Sequence, residues 1–284
     1  MNVLSLFDGM SCGRVALDRL GYNVDDYFAS EIDTHAIKVA KVNYPNTIHL
    51  GDVVKIDGYT LPKIDLLIGG SPCQGFSFAG KQLNFEDPRS KLFFEFIRLL
   101  NETNPKYFML ENVNMKQEYQ DIISNELGVK PIKINSNLIS AQNRTRLYWT
   151  NIQNISQPED KNILLKDIIE DGFVDKAKSY CIDASYSRNA NPYSYIKKSR
   201  GTLVFKDLES IKYFRSLTRE DLLSEEIINL RDNMTYRKLT PLECERLQTL
   251  PDNYTNHVSN NQRYKMIGNG WTVDVICHIL KNMN

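Results

Sequence analysis

Up to about Asn151, apolar residues fall into two alternating kinds of segment. Short runs dominated by β-branched, aromatic and leucine side chains have the length and bias of buried strands: Asn2 to Leu6, Tyr27 to Ser30, Ile64 to Gly69, Tyr107 to Glu111 and Leu147 to Asn151. Between them, Arg14 to Leu20, Thr34 to Asn43, Ser90 to Leu100 and Glu118 to Leu127 gather apolar residues at helical spacing, which predicts amphipathic helices. Such alternation specifies an α/β fold, a doubly wound Rossmann-like parallel sheet. From about Gln153 to Tyr236 the alternation gives way to short mixed segments rich in Asn, Ser, Tyr and Lys, which reads as a second, smaller domain. Helical patterning returns from Arg237 to Asn284. There Thr240-Pro241-Leu242-Glu243 spells a capping box with proline at the first helical position, and Thr272 to Lys281 predicts an apolar-faced terminal helix.

Composition narrows the class. A chain of 284 residues with 42% hydrophobic content can bury a sizeable core in one domain or one and a half. No apolar run reaches the length of a membrane span, and Met1 to Phe7 reads as a strand rather than a signal peptide, so a soluble, cytoplasmic chain is expected. The 5 cysteines lack CxxC spacing and the 4 histidines are scattered, which argues against a disulfide framework and a zinc site. Lys+Arg and Asp+Glu both number 35, so any nucleic-acid site must be a local patch. One such patch exists. Lys176, Lys178, Arg188, Lys197, Lys198, Arg200 and Lys206 face only Asp183 among acids, with Tyr180, Tyr186, Tyr193 and Tyr195 between them. A solvated loop would have the same composition. By contrast, Asp207 to Asp232 is acidic and is expected to face solvent or the other domain.

Two turns carry candidate chemistry. The strand ending at Ile68 runs into Gly69-Gly70-Ser71-Pro72-Cys73-Gln74-Gly75-Phe76-Ser77, where a cysteine sits on a tight turn at a carboxyl strand end. Once ionised, a thiol there is a strong nucleophile, although a cysteine taken alone is more often a small core residue. The other turn is Ser5-Leu6-Phe7-Asp8-Gly9-Met10-Ser11-Cys12-Gly13, strand into glycine turn into helix. By itself it is more readily an ordinary tight turn than a ligand site. Glu31 follows the second strand, where a carboxylate can accept from two ribose hydroxyls, and Asp52 can accept an exocyclic amine. The absence of a full G-x-G-x-x-G argues against a pyrophosphate ligand.

Five elements, in order, make the chain resemble the cytosine-carbon-5 DNA methyltransferases. They are Pro72-Cys73-Gln74, Glu111-Asn112-Val113, Gln142-Asn143-Arg144-Thr145-Arg146, the long run Arg237 to Gln248, and Gly268-Asn269-Gly270. The resemblance implies S-adenosylmethionine as cofactor, held by Phe7, Asp8, Gly9, Glu31, Ile32, Asp52, Val53, Pro72, Asn269 and Trp271. It implies Cys73 as nucleophile toward carbon 6 of cytosine, with Glu111 at ring nitrogen 3 and Arg146, beside Arg144, at the carbonyl oxygen. By residue type alone Glu111 is more readily a salt-bridging or capping carboxylate and the arginines solvated surface charge, while Trp271 is as readily a core tryptophan. The family's architecture implies a catalytic domain from residues 1–152 plus 237–284, with a target-recognition domain at 153–236. The expected partner is double-stranded DNA, met by a monomer without a metal, with Gln74, Ser77, Arg188, Lys197, Lys198 and Arg200 as DNA contacts. Gly75 to Lys91 suits a loop that closes over an extruded base, being longer than usual strand-to-helix connections. Phe7-Asp8-Gly9 replaces the commoner Phe-Ala-Gly, and Trp271 follows Gly270 where many members have small residues and proline; both variants look more like the de novo branch of animal enzymes. One branch of the family modifies transfer RNA, so an RNA substrate is the alternative, and a non-catalytic DNA-binding relative is a third reading.

Overall fold

The computed structural model describes residues 1–71, 88–217 and 235–283. Pro72, Cys73, Gln74 and Ser77 lie outside these, as does the expected loop from Gly75 onward, except that a helix already begins at Pro88.

The described chain forms two compact units, the first comprising residues 1–135, 145–158 and 273–284. Its strands are β1 (Val3–Leu6), β2 (Tyr27–Ser30), β3 (Ile48–Gly51), β4 (Leu66–Gly70), β5 (Tyr107–Val113), β6 (Ile132–Asn135) and β7 (Thr145–Thr150). They make a 7-stranded sheet in the order β3-β2-β1-β4-β5-β7-β6. Pairing is parallel from β3 to β5, and β7 runs antiparallel to both β5 and β6. The α/β class is as the sequence implies, with a mostly rather than wholly parallel sheet. Strands β3 and β6 have no counterpart in the sequence reading because both are short and half-exposed, with little of the continuous apolar run that marks a buried strand.

Helices α1 (Cys12–Arg19), α2 (Thr34–Asn43), α3 (Pro88–Thr103) and α4 (Gln117–Leu127) join the strands. Asp33 fixes the start of α2, its carboxylate accepting from the His35 and Ala36 amides at 2.9 and 3.3 Å. The core gathers Leu4, Leu6, Leu67, Phe93, Phe96, Leu110 and Trp149, all fully enclosed. The last helix, Val273–Leu280, packs on α1, and Tyr22 donates its hydroxyl to the Leu280 carbonyl at 2.9 Å. The terminal segment thus returns to the sheet.

The second unit comprises residues 136–144 and 159–272. It holds α5 (Tyr186–Asn189), α6 (Pro192–Lys198), β8 (Leu203–Phe205), α7 (Leu208–Ser216), β9 (Tyr236–Lys238) and the helices Pro241–Leu247 and Asn260–Asn269. Strands β8 and β9 pair antiparallel beside a ring cluster of Tyr195, Phe205, Phe214 and Tyr236, with centroids 5.1 to 6.2 Å apart. The capping box forms as spelled: the Glu243 amide donates to Thr240 Oγ1 at 3.2 Å and the Thr240 amide to Glu243 Oε2 at 2.8 Å. Glu243 and Glu245 on this helix are wholly enclosed, and each is matched by an arginine, Arg237 at 2.8 Å and Arg263 at 3.0 Å. Burying one charge without the other would cost several kcal/mol, which explains why acids and arginines recur together in this run.

Candidate active site

In the strand order, β1 has β2 and β3 on one side and β4 and β5 on the other. The chain therefore reverses direction across the sheet between β1 and β4, and the crevice outside the carboxyl ends of these strands is where an open α/β sheet binds ligands. Among the described residues, the candidates that the first unit contributes from β1 to β5, Phe7, Asp8, Gly9, Glu31, Ile32, Asp52, Val53 and Glu111, follow or end these strands at that rim.

On the β1 side, Phe7 and Gly9 take left-handed φ angles of 57° and 59°. Nothing lies within 4 Å of where a Gly9 side chain would begin, so its backbone is open to close approach. Asp8 points inward. It accepts from Ser5 Oγ at 2.6 Å, Tyr27 Oη at 2.8 Å and Ser11 Oγ, and burial outweighs these donors to push its carboxyl up to about 6. Asp8 therefore locks the turn through its neighbours. At the end of β2, Glu31 Oε2 accepts from the Gly9 amide at 2.8 Å, while Oε1 accepts from the Ile32 and Asp33 amides at 2.7 and 2.8 Å. An ionised carboxylate offers about four acceptor positions, so these amides orient Glu31 and still leave room for an outside donor. Ile32 beside it is 73% exposed, an apolar face without cover. At the end of β3, Gly51 turns with φ 75°, Val53 is buried, and Asp52 Oδ1 accepts from the Val54 amide at 3.2 Å. Open backbone, an uncovered aliphatic face and two oriented carboxylates fit a ligand that carries hydroxyls, an amine and a planar base. S-adenosylmethionine has those groups.

On the β4 side, Gly70 stands in register with Glu111 on β5. Glu111 is 8% exposed, and its Oε1 lies 3.0 Å from Arg146 Nε. The pairing explains the contact: Arg146 is opposite Val113 and Tyr148 opposite Glu111, so Arg146 and Glu111 are diagonal neighbours on one face of the antiparallel β5–β7 pair. The following residue, Asn112, is buried and donates its amide to Ser71 Oγ at 3.0 Å. It thereby ties the end of β5 to the residue before Pro72. The sequence shows Asn112 only as part of its motif; its place on the strand next to β4, within reach of Ser71, comes from the pairing.

Arg144 has a different job from Arg146. It lies in the second unit, buried, with Nη1 donating to the Ile182 carbonyl at 2.9 Å and Nη2 to the Gly270 carbonyl at 2.8 Å. Gly268 in the same knot must be a glycine, since a side chain would begin 2.2 Å from the Asp183 carbonyl carbon. Asn269 ends the helix Asn260–Asn269 exposed, and Trp271 two residues later is half-buried, both in the second unit.

The basic segment divides in the same way. Arg188, Lys197, Lys198 and Arg200 are exposed, whereas Lys178 spends its ammonium on the carbonyls of Asn137, Ile163 and Ser140 at 2.6, 2.6 and 3.1 Å. Tyr186 and Tyr195 are core residues, and Lys176 lies over the Tyr180 and Tyr195 rings at 5.1 and 5.3 Å. Among the described residues no cluster of His, Cys, Asp or Glu is placed to hold a metal ion, and no helix is long and apolar enough to cross a membrane.

Comparison with known proteins gives the family and the fold. The sequence profile of the C-5 cytosine-specific DNA methylases matches residues 1–284. The chain is 34% identical to the type II methyltransferase M1.ScrFI of Lactococcus lactis subsp. cremoris over 99% of its own length and 77% of the relative's. It is 27% identical to the type II methyltransferase M.HhaI of Haemophilus parahaemolyticus, covering 100% of this chain and 94% of that one. Among solved structures, the Entamoeba histolytica methyltransferase EhMeth superposes with a TM-score of 0.77 at 18% identity, covering 99% and 97% of the two chains, which shows a common fold. The chain belongs to the C-5 cytosine-specific DNA methylase family and is a DNA (cytosine-5-)-methyltransferase.

Proposed function

We propose that the enzyme methylates carbon 5 of a cytosine extruded from duplex DNA, with Cys73 as a covalent nucleophile. The observation that carries this reading is the Glu111–Arg146 pair, whose Glu111 is in register with Gly70, three residues before Cys73, at the rim whose other half carries Gly9, Glu31 and Asp52. Carbon 5 of cytosine is a weak nucleophile, so the Cys73 thiolate adds first to carbon 6. As it adds, negative charge moves onto the ring and must be met there. A cytosine entering beside the pair takes the Arg146 guanidinium at its carbonyl oxygen and the Glu111 carboxyl at nitrogen 3, the last two sharing a proton, so each partner exchanges the other for the base. S-Adenosylmethionine supplies an electrophilic methyl group at this point. Loss of the carbon-5 proton to a base, with departure of Cys73 as its thiolate, restores the aromatic ring. Phe7, Gly9, Glu31, Ile32, Asp52 and Val53 hold the cofactor, with Pro72 beside them and Asp8 fixing the turn beneath it.

Because carbon 6 is stacked within a duplex, the nucleotide must be flipped out at a cost of roughly a few kcal/mol. Gln74 and Ser77 contact the DNA. Target choice belongs to the 153–236 insertion, where Arg188, Lys197, Lys198 and Arg200 meet DNA, and the enzyme works as a monomer on DNA in the cytoplasm as part of a restriction-modification pair. Transfer of tritiated methyl groups to duplex DNA and to total transfer RNA decides the substrate: incorporation into DNA is expected, and incorporation confined to transfer RNA would replace this reading with the RNA one.

A further inference from the structure

The segment that carries Asp52 is too short to hold itself in place. It consists of two single turns of 3-10 helix, Val53–Lys55 and Gly58–Thr60, each capped only by the aspartate before it, Asp52 and Asp57. An isolated turn of this kind is marginal, so its position depends on what it is tied to. The tie is Arg98 on α3. Its Nη2 donates to the Val53 carbonyl at 3.1 Å and its Nη1 to the Ile56 carbonyl at 2.8 Å. The rest of the fork is held by α3 itself: Nε and Nη2 donate to Glu95 Oε2 at 2.9 and 2.7 Å, and Nη1 donates to Glu102 Oε1 at 2.9 Å.

A guanidinium has five N–H donors, and these contacts use all of them. Glu102 adds a second strap, its Oε2 accepting from the Gly58 amide at 2.8 Å. That approach is so close that a side chain at Gly58 would begin 2.7 Å from Glu102 Cβ. Glu95, Arg98 and Glu102 recur at helical spacing on one face of α3, so a single helix face clamps the whole turn. An arginine needed only to join α3 to the sheet would not require both carbonyls of the turn that Asp52 begins.

We infer that Arg98 is a positioning residue that sets Asp52 at the exocyclic amine of the cofactor's adenine; this rests on the proposed cofactor role of Asp52. The two can be tested together on the full chain by titration calorimetry with S-adenosylhomocysteine and with S-inosylhomocysteine, which has a carbonyl in place of the amine. A hydrogen bond from the amine to a carboxylate should favour the adenosyl ligand by about tenfold in the wild type. Asp52→Ala should bring that ratio close to one, and Arg98→Met should lower it likewise. Arg98→Lys, which keeps the charge but lacks the fork, should give a value between, and it serves alone if Arg98→Met fails to fold. A purely structural arginine would weaken both ligands equally, so a wild-type ratio in the Arg98 variants with a lost ratio in Asp52→Ala would overturn the positioning role alone. A wild-type ratio in Asp52→Ala would remove the adenine contact itself, and the inference with it.

Discussion

Replacing Asp8 by asparagine tests whether the turn after β1 is built around a carboxyl that resists ionisation. Asp8 is enclosed, faces Glu31, and accepts from three hydroxyls; burial dominates, and the group is pushed from 3.8 to about 6. A carboxyl that binds its proton more tightly folded than unfolded adds stability fully only below its unfolded value, and this contribution is lost as pH rises through the folded one. The window therefore runs from about pH 4 to about pH 6. Its width corresponds to about 3 kcal/mol, the ionisation cost that the fold carries at neutral pH. At roughly 2 °C per kcal/mol for a chain of this size, that is about 6 °C in melting temperature.

Asparagine has the same shape and does not titrate. The melting temperature of Asp8→Asn minus that of the wild type should therefore increase between pH 4.5 and pH 7 by several degrees and level off above. The difference matters more than either curve, because histidines and surface carboxylates titrate alike in both proteins. Exchanging one carboxylate oxygen for an amide alters the bonds to Ser5, Ser11 and Tyr27 by an offset common to all pH values. Thermal unfolding followed by circular dichroism at four or five pH values measures this directly. Parallel curves for the two proteins would refute the assignment of a high folded value to Asp8.

Other outcomes follow from the site. Arg146→Met strands Glu111 in a half-dry pocket and should cost about 3 kcal/mol in urea unfolding. Adding Glu111→Gln should return most of that stability but no methyl transfer, whereas a double variant within tenfold of wild-type turnover would make the pair merely structural. Alanine at the exposed Arg188, Lys197, Lys198 and Arg200 should include at least one variant that lowers the salt slope of DNA binding by about one and one that relaxes sequence preference at a single position. Unchanged affinity, slope and site preference in all four would send recognition elsewhere in the second unit.

The parts of this molecule legible in the sequence are those governed by local pattern. Tyr27–Ser30 and Thr34–Asn43 have the ends that their apolar runs imply, the helix because Asp33 caps it, and the Thr240 to Glu243 box forms as written. What pattern could not give is pairing. The antiparallel direction of β7 leaves no mark on its own residues, yet it decides that Arg146 meets Glu111. Arg144 and Arg146 are two apart and would share a face in a strand, but β7 starts at Thr145, so Arg144 departs into a knot of carbonyls. In the basic segment, tyrosines and cations alternate without showing which of them the fold turns inward. Tyr186 and Tyr195 became core because their hydroxyls find partners there, the Thr202 carbonyl at 2.7 Å and Asp175 respectively. Arg98 gave no signal because it reads as an ordinary charge on an amphipathic helix.

The covalent role of Cys73 is tested most directly by trapping. Fluorine at carbon 5 cannot leave as a proton does, so addition of the thiolate and methyl transfer should end in a stable adduct. The enzyme would be incubated with S-adenosylmethionine and duplex DNA containing 5-fluorocytosine, denatured, digested and analysed by mass spectrometry. The mechanism predicts a nucleotide adduct on the peptide containing Cys73, dependent on S-adenosylmethionine and absent in Cys73→Ser. No adduct, or one on another residue, from an enzyme that methylates the unsubstituted DNA would contradict it.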